Sequence, residues 1–262
     1  MASPRHAIRA TAAQLLGSLA RRMPRADRLR RVADDLRFVR STYGFDLLNT
    51  PGDRTFELAV RGYGRFIAEA IEAQTEPFVF LDFGANLGLF SLIAARHPAC
   101  LHVLAIEPVP QTFLALTANI RRNRATLVAA VRGAVTNVVD GEVRLSFSPR
   151  HSGLSRITSG TEGSVRAPVV GATELDALLA ATTARVVAKI DVEGEEPAVL
   201  ATLAKTAFCH RIDEIIVEIS ETNLGSAARR EALLAMLAAA GFREDSRRGS
   251  ALQYDARYRR RD

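Results

Sequence analysis

Lysine occurs at only two positions, Lys189 and Lys205, and cysteine at only two, Cys100 and Cys209. Two cysteines without metal-ligand spacing exclude a disulfide framework and a thiolate metal centre, so both read as small apolar residues in a reducing compartment. No stretch approaches the ~18 apolar residues of a membrane span. The longest amino-terminal patch, Thr11 to Ala20, is broken by Gln14, Gly17 and Ser18. Internal repeats and low-complexity tracts are missing too, which sets aside solenoid and linker architectures.

What is present is a chain of 262 residues, 48% hydrophobic and 24% charged, enough for one well-buried α/β domain with an accessory segment. Its net charge of +6 is unevenly spread. Residues 1–40 carry ten arginines against Asp27, Asp34 and Asp35, a balance of +7, and residues 241–262 carry +3, which leaves the middle at −4. An acidic centre argues against a nucleic-acid cleft there, because phosphate must be neutralised by basic groups. The basic ends suit an anionic surface.

Ile8, Ala12, Leu15, Leu16 and Leu19 recur at helical spacing, and after Pro24 so do Leu29, Val32, Leu36 and Val39. This predicts two amphipathic helices, either a cap with solvated arginines or a peripheral contact at the inner face of a membrane. The acid-poor start is similar to a transit peptide, but its arginines continue to Arg40, which fits a retained segment of a cytoplasmic protein. The expected division is a basic helical extension over 1–54 and a single domain over 55–262.

Ser41 to Gly52 reads as a loop, and Phe56, Val60, Tyr63, Ile67 and Ala70 mark one helix despite Gly62 and Gly64. An alternation of strands and helices follows. Strands are expected at Phe78 to Phe83, His102 to Ile106, Thr126 to Val131, Val186 to Asp191 and Glu214 to Ile219, with a closing pair near Phe242 to Glu244 and Ala251 to Tyr254. Helices are expected at Gly88 to Arg96, Pro110 to Asn123, Glu174 to Ala181, Glu195 to Thr206 and Ala227 to Ala240. Val143, Leu145 and Phe147 alternate with polar residues after Asp140-Gly141, which predicts an antiparallel hairpin inserted beside the main sheet, followed by a mobile loop at His151-Ser152-Gly153.

The chemistry concentrates where the first strand meets Asp82-Phe83-Gly84-Ala85-Asn86-Leu87-Gly88 and a helix begins. A glycine turn in that position sets backbone N–H groups against a ligand at the carboxyl edge of a parallel sheet, and Glu107, after the next strand, stands where a ribose-binding carboxylate belongs. A pyrophosphate requires a third glycine and would be repelled by Asp82, so the turn suits a nucleoside with a cationic end, such as S-adenosylmethionine, better than a dinucleotide. The plainer alternative is a sharp strand-to-helix connection in which Asp82 only caps the turn. Further on, Lys189, Asp191, Glu193 and Glu218 converge at the ends of two neighbouring strands, either as acid–base groups or as a buried ion pair between strands. Asp191 is the first candidate for a general base or acceptor-orienting group, and His151 a weaker one. Asp191, Glu193 and Glu218 are also an oxygen set, but no histidine spacing accompanies them and no metal is expected.

The segments LDFGANLGLFS, AIEPVP, ATELDALL and KIDVEGEE resemble, in order and spacing, the FkbM family of S-adenosylmethionine-dependent methyltransferases, over about Phe78 to Ile219. The resemblance implies a Rossmann-like class I methyltransferase fold: a mostly parallel twisted sheet flanked by helices, here with an inserted β-hairpin and an amino-terminal helical extension. It implies that Asp82, Gly84, Asn86 and Gly88 wall the methionine moiety, Glu107 accepts the ribose hydroxyls, and Pro108 and Ala134 line the adenine. Asp191, with Glu193 beside it, would face the transferred methyl group. Family members are mostly O-methyltransferases of sugars, glycolipids, lipooligosaccharides and macrolide polyketides. Glu174 interrupts the family's block before the fourth strand, so the resemblance does not fix a role for Asp176. Two other classes stay open: a methyltransferase of nucleic acid or protein, against which the absence of an Asn/Asp-Pro-Pro-aromatic motif counts, and a non-catalytic nucleoside-binding module docking on anionic surfaces.

Overall fold

The computed structural model describes residues 38–137, 141–160 and 164–260. The two amphipathic helices expected before Arg40 lie almost wholly outside the described residues, as does the membrane contact assigned to them.

Among the described residues, seven strands form the central sheet. Five run parallel: β3 (Phe78–Phe83), β4 (Cys100–Glu107), β5 (Val128–Arg132), β9 (Arg185–Ile190) and β10 (Ile212–Ser220). Two further strands, β11 (Phe242–Gly249) and β12 (Gln253–Arg260), complete the order β11-β12-β10-β9-β3-β4-β5, with β12 antiparallel to both its neighbours. The central strands are apolar without interruption because helices cover both faces, the condition that parallel sheets require. All six residues of β3 are buried.

Period two assigns each strand residue to a face. Val79, Leu81 and Phe83 pack with Ala188, Ile190, Val217 and Ile219 against α5 (Ala172–Leu179), α6 (Glu196–Leu203) and α8 (Ala227–Ala239). Phe78 and Phe80 point the other way with Val187 and Ile216, beneath α1 (Arg54–Val60), α2 (Arg65–Glu72), α3 (Leu89–Arg96) and α4 (Pro110–Arg122). Asp82 and Lys189 belong to this second face, and they are paired across β3 and β9. Burying each large apolar side chain contributes about 1.5–3 kcal/mol.

The structure corrects several sequence expectations. Residues 41–52 are not simply a loop: β2 (Asp46–Leu48) pairs antiparallel with β1 (Phe38–Arg40), and the Leu48 amide donates to Asn119 Oδ1 at 2.6 Å. Phe45, Leu47 and Leu48 are buried in the second core, so a boundary at 54/55 runs through packed structure. The single helix expected through Gly62 and Gly64 is two helices, α1 and α2, because both glycines take positive φ values of 94° and 70° that no α-helix accommodates. The inserted hairpin is a three-stranded antiparallel sheet in the order β7 (Arg156–Ile157), β6 (Glu142–Ser146), β8 (Ser164–Pro168). A short helix, α7 (Glu221–Leu224), follows β10.

Candidate active site

A cavity of about 340 Å³ opens at the carboxyl ends of the parallel strands. One end is formed by Gly84, Asn86, Glu107, Pro108 and Ala134, and the other by Lys189, Asp191, Glu193 and Glu218. All nine positions are ones that the sequence singles out.

Gly84 makes the floor. It lies at φ 74°, and a Cβ there would sit 1.9 Å from the Asp191 carbonyl oxygen. Backbone of β3 and β9 therefore converges under the cavity in a way that only glycine permits. Asn86 also takes a left-handed φ, 48°, and its side-chain oxygen accepts from the Leu87 amide at 2.8 Å.

Glu107 is 5% exposed, and each of its oxygens is held by one backbone amide: Asn86 N–H to Oε2 and Val109 N–H to Oε1, both at 2.9 Å. Burial pushes its pKa up to about 7, against the pull of these two amides. The carboxylate is thus oriented, with lone pairs left over for ligand hydroxyls.

Two predicted cofactor residues do not reach the cavity. Asp82 is fully buried under α3, where Oδ2 accepts from Ser91 Oγ at 2.6 Å and Oδ1 lies 3.4 Å from Lys189 Nζ. Strand alternation turns it to that face, so it acts on the cavity only through Lys189. Gly88 precedes α3 and packs on Leu116, whose methyl carbon would lie 2.4 Å from an added Cβ. Its role is helix packing.

Lys189 is 2% exposed and ties the two ends together. Its Nζ donates to the Gly84 carbonyl at 2.9 Å and the Phe83 carbonyl at 3.3 Å, and lies 3.4 Å from both Asp82 and Asp191. Burial works to lower its pKa, but Asp191 and Asp82 outweigh it and the net direction is upward. Lys189 is accordingly a fixed cation rather than a base. The buried ion pair that the sequence offered as one alternative is present, and it stands at the wall of the cavity.

Beyond Asp191 carboxylates predominate. Burial and then repulsion from Asp191 push Glu193 and Glu218 each up to about 8, and Asp255, opposite Glu218 in the β10–β12 pairing, up to about 7. Asn223 Nδ2 donates to Glu193 at 2.7 Å, Gln253 Nε2 to Glu218 at 3.1 Å, and Arg156 approaches Glu193 at 3.9 Å. Carboxylate oxygens of Asp191, Glu193 and Glu218 come within 4.8 Å of one another, close enough to share one cation or one proton-bearing substrate group. Asp176 is elsewhere, accepting from the Ala207 amide at 2.7 Å. His151 lines the cavity beside Thr55, to whose Oγ1 its Nδ1 lies at 3.4 Å. The segment expected to be a mobile loop there contains a 3₁₀ turn, Ser152–Leu154, with Ser152 buried.

Sequence reasoning missed the residues that α1, the turn after it, the 3₁₀ turn and the inserted sheet contribute: Thr55, Leu58, Tyr63, Leu145, Leu154 and Ile157 all line the cavity. Only Asp53, an N-cap whose Oδ1 accepts from the Thr55 amide at 3.0 Å, left a readable signal for a helix beginning there.

A mostly parallel sheet flanked by helices, with a cavity at the carboxyl ends of its strands where a buried carboxylate faces a charged cluster, is a Rossmann-like architecture with its ligand crevice in the usual place. The chain matches the Methyltransferase FkbM domain over residues 82–244, and it belongs to that family. It is similar to the hexuronic acid methyltransferase AglP of Haloferax volcanii, 30% identical over 161 residues that span 61% of this chain and 63% of the relative. Among solved structures it is similar to fibrillarin of Aeropyrum pernix with S-adenosyl-L-methionine natively bound, at 9% identity and TM-score 0.45 over 86% of this chain and 82% of that one. A tRNA m1G37 methyltransferase of M. jannaschii is similar at 12% identity and TM-score 0.47, over 87% and 57%. The family assignment rests on the sequence match and not on these two folds.

Proposed function

We propose that this protein is an S-adenosylmethionine-dependent O-methyltransferase acting on a hydroxyl of a sugar, glycolipid or polyketide-type small molecule. The observation that carries the reading is Glu107: a buried carboxylate, oriented by two backbone amides, facing a cavity whose opposite wall is the Lys189–Asp191 pair. Family membership and the similarity to a sugar-acid methyltransferase support it.

The residues fit the donor. Gly84 lets the backbones after β3 and β9 close together beneath the cavity, Glu107 offers acceptors to a ribose diol, and Pro108 and Ala134 line the cavity for a purine. Bound S-adenosylmethionine would supply an electrophilic methyl group on a sulfonium. The protein's part is to hold an acceptor oxygen in line with it, and this positioning lowers the barrier more than any other contribution. Asp191, tethered to Lys189, orients the acceptor hydroxyl. Glu193 and Glu218, each raised to about 8, are matched to taking its proton near neutral pH, a contribution of roughly 10²–10⁴-fold. Leu58, Tyr63 and Leu154 give the acceptor an apolar side to rest on. The basic residues 1–40 are proposed to draw the enzyme to an anionic membrane face, where a lipid-linked acceptor would be found.

The test is transfer of isotopically labelled methyl from S-adenosylmethionine to a panel of sugars, lipid-linked sugars and macrolides. Alkali-stable ether label on a hydroxyl supports the reading. Label found only in added tRNA or protein contradicts it.

A further inference from the structure

A hydrogen-bonded line runs from outside the family's segment into the donor end of the cavity. Asp53, 3% exposed, does not line the cavity and precedes the residues 82–244 that match the family. Its Oδ1 accepts from the Ser152 amide at 3.0 Å and its Oδ2 from Ser152 Oγ at 2.8 Å. Ser152 Oγ in turn accepts from Asn86 Nδ2 at 3.3 Å. Asn86 then donates its backbone N–H to Glu107 Oε2 at 2.9 Å.

The same junction is fastened twice more. Gly153 N–H donates to Thr55 Oγ1 at 2.8 Å, and Arg54 N–H to the Arg150 carbonyl at 2.9 Å. Residues 150–153 are therefore buttoned to the start of α1, and the hydroxyl of Ser152 bridges Asp53 on one side and Asn86 on the other. Asn86 takes a left-handed φ of 48°, a conformation that asparagine adopts more readily than other non-glycine residues but that its surroundings must still select. Holding its side chain at Ser152 keeps its amide aimed at Glu107.

We propose that Ser152 and Asp53 are positioning residues for the donor site, acting through Asn86 on the orientation of Glu107 although Asp53 lies outside the cavity wall. The proposal rests on the assignment of Glu107 to the methyl donor. It follows that the donor site of this chain is completed by the segment before its family domain.

The experiment compares wild type, Ser152→Ala and Ser152→Thr by calorimetric titration with S-adenosylhomocysteine and by hydrogen exchange of the Asn86 amide in ligand-free protein. Loss of one buried hydrogen-bonding hydroxyl should weaken donor binding about three- to tenfold. Ser152→Ala should also speed exchange at Asn86, 66 residues away in sequence, while Ser152→Thr restores both. A purely local structural role would lower the melting temperature of Ser152→Ala and leave affinity and Asn86 exchange unchanged, and that result overturns the proposal. If wild type binds no donor, the methyltransferase reading fails, and Asn86 exchange still decides whether the line holds that residue.

Discussion

Glu214 and Glu218 lie four residues apart on β10, both substantially buried, at opposite ends of the sheet, and their surroundings differ completely. Glu214 is gripped by Arg257 through Nε at 2.8 Å and Nη2 at 2.7 Å, and it also receives Gln74 Nε2 at 3.0 Å. Glu218 has Gln253 as its near donor and Asp191 and Asp255 as its charged neighbours, and burial first, then their repulsion, push it up to about 8. The amino end of the sheet holds its buried charge in paired, satisfied contacts. The carboxyl end keeps carboxylates under mutual repulsion, a condition that ligand binding or proton transfer relieves. Burial is common to both carboxylates; the sign of their neighbours is what separates them.

Breaking the paired end should cost most. Arg257→Ala leaves Glu214 buried with only Arg259, at 3.6 Å, as a charged partner, and should destabilise the fold by about 3 kcal/mol in urea denaturation. At the other end, Glu218→Gln should leave the fold as stable or more so at pH 8 while lowering turnover by roughly 10²-fold in a methyl-release assay. Asp191→Asn should lower turnover comparably with donor affinity retained. Equal loss of stability from Arg257→Ala and Glu218→Gln would erase the distinction between the two ends.

A subtler contrast is in pH. Glu193, Glu218 and Asp255 have folded-state pKa values raised to about 8, 8 and 7, so between pH 5 and pH 8 the folded chain holds protons that the unfolded chain has released. Stability contributed by these groups is present at the acid side of that window and declines as pH rises through it. Thermal unfolding across pH 5 to 8 should show that decline, shallower in Glu218→Gln. A slope of the opposite sign would mean that cations neutralise the cluster.

The alternation of strands and helices is legible in the sequence because strands buried on both faces leave continuous apolar runs, and because each turn at their carboxyl ends carries its own signal. The site's two ends are legible for the same reason: Glu107, Asp191 and Glu193 stand at or beyond strand ends, and Glu218 stands near the end of the apolar run of β10. Asp82 is misplaced when the glycine motif is read as a unit, because period two turns its side chain beneath α3 toward Lys189. The hairpin β1–β2 escapes detection since three-residue strands carry almost no pattern. In β11 every residue after Phe242 is exposed, so the sequence FREDSRRG shows no apolar alternation and the strand reads as shorter than it is. Thr55, Tyr63 and Leu154 reach the cavity from elements whose relation to the sheet only the tertiary structure defines.

Glu107 is the residue proposed to hold the methyl donor. Titration calorimetry of wild type and Glu107→Ala with S-adenosylmethionine tests this assignment most directly. Saturable heat from wild type and its loss by at least about 100-fold in affinity in the variant, as expected when charge-assisted contacts to two hydroxyls disappear, is the result this account predicts. No heat from wild type, or equal affinity for both proteins, would contradict it.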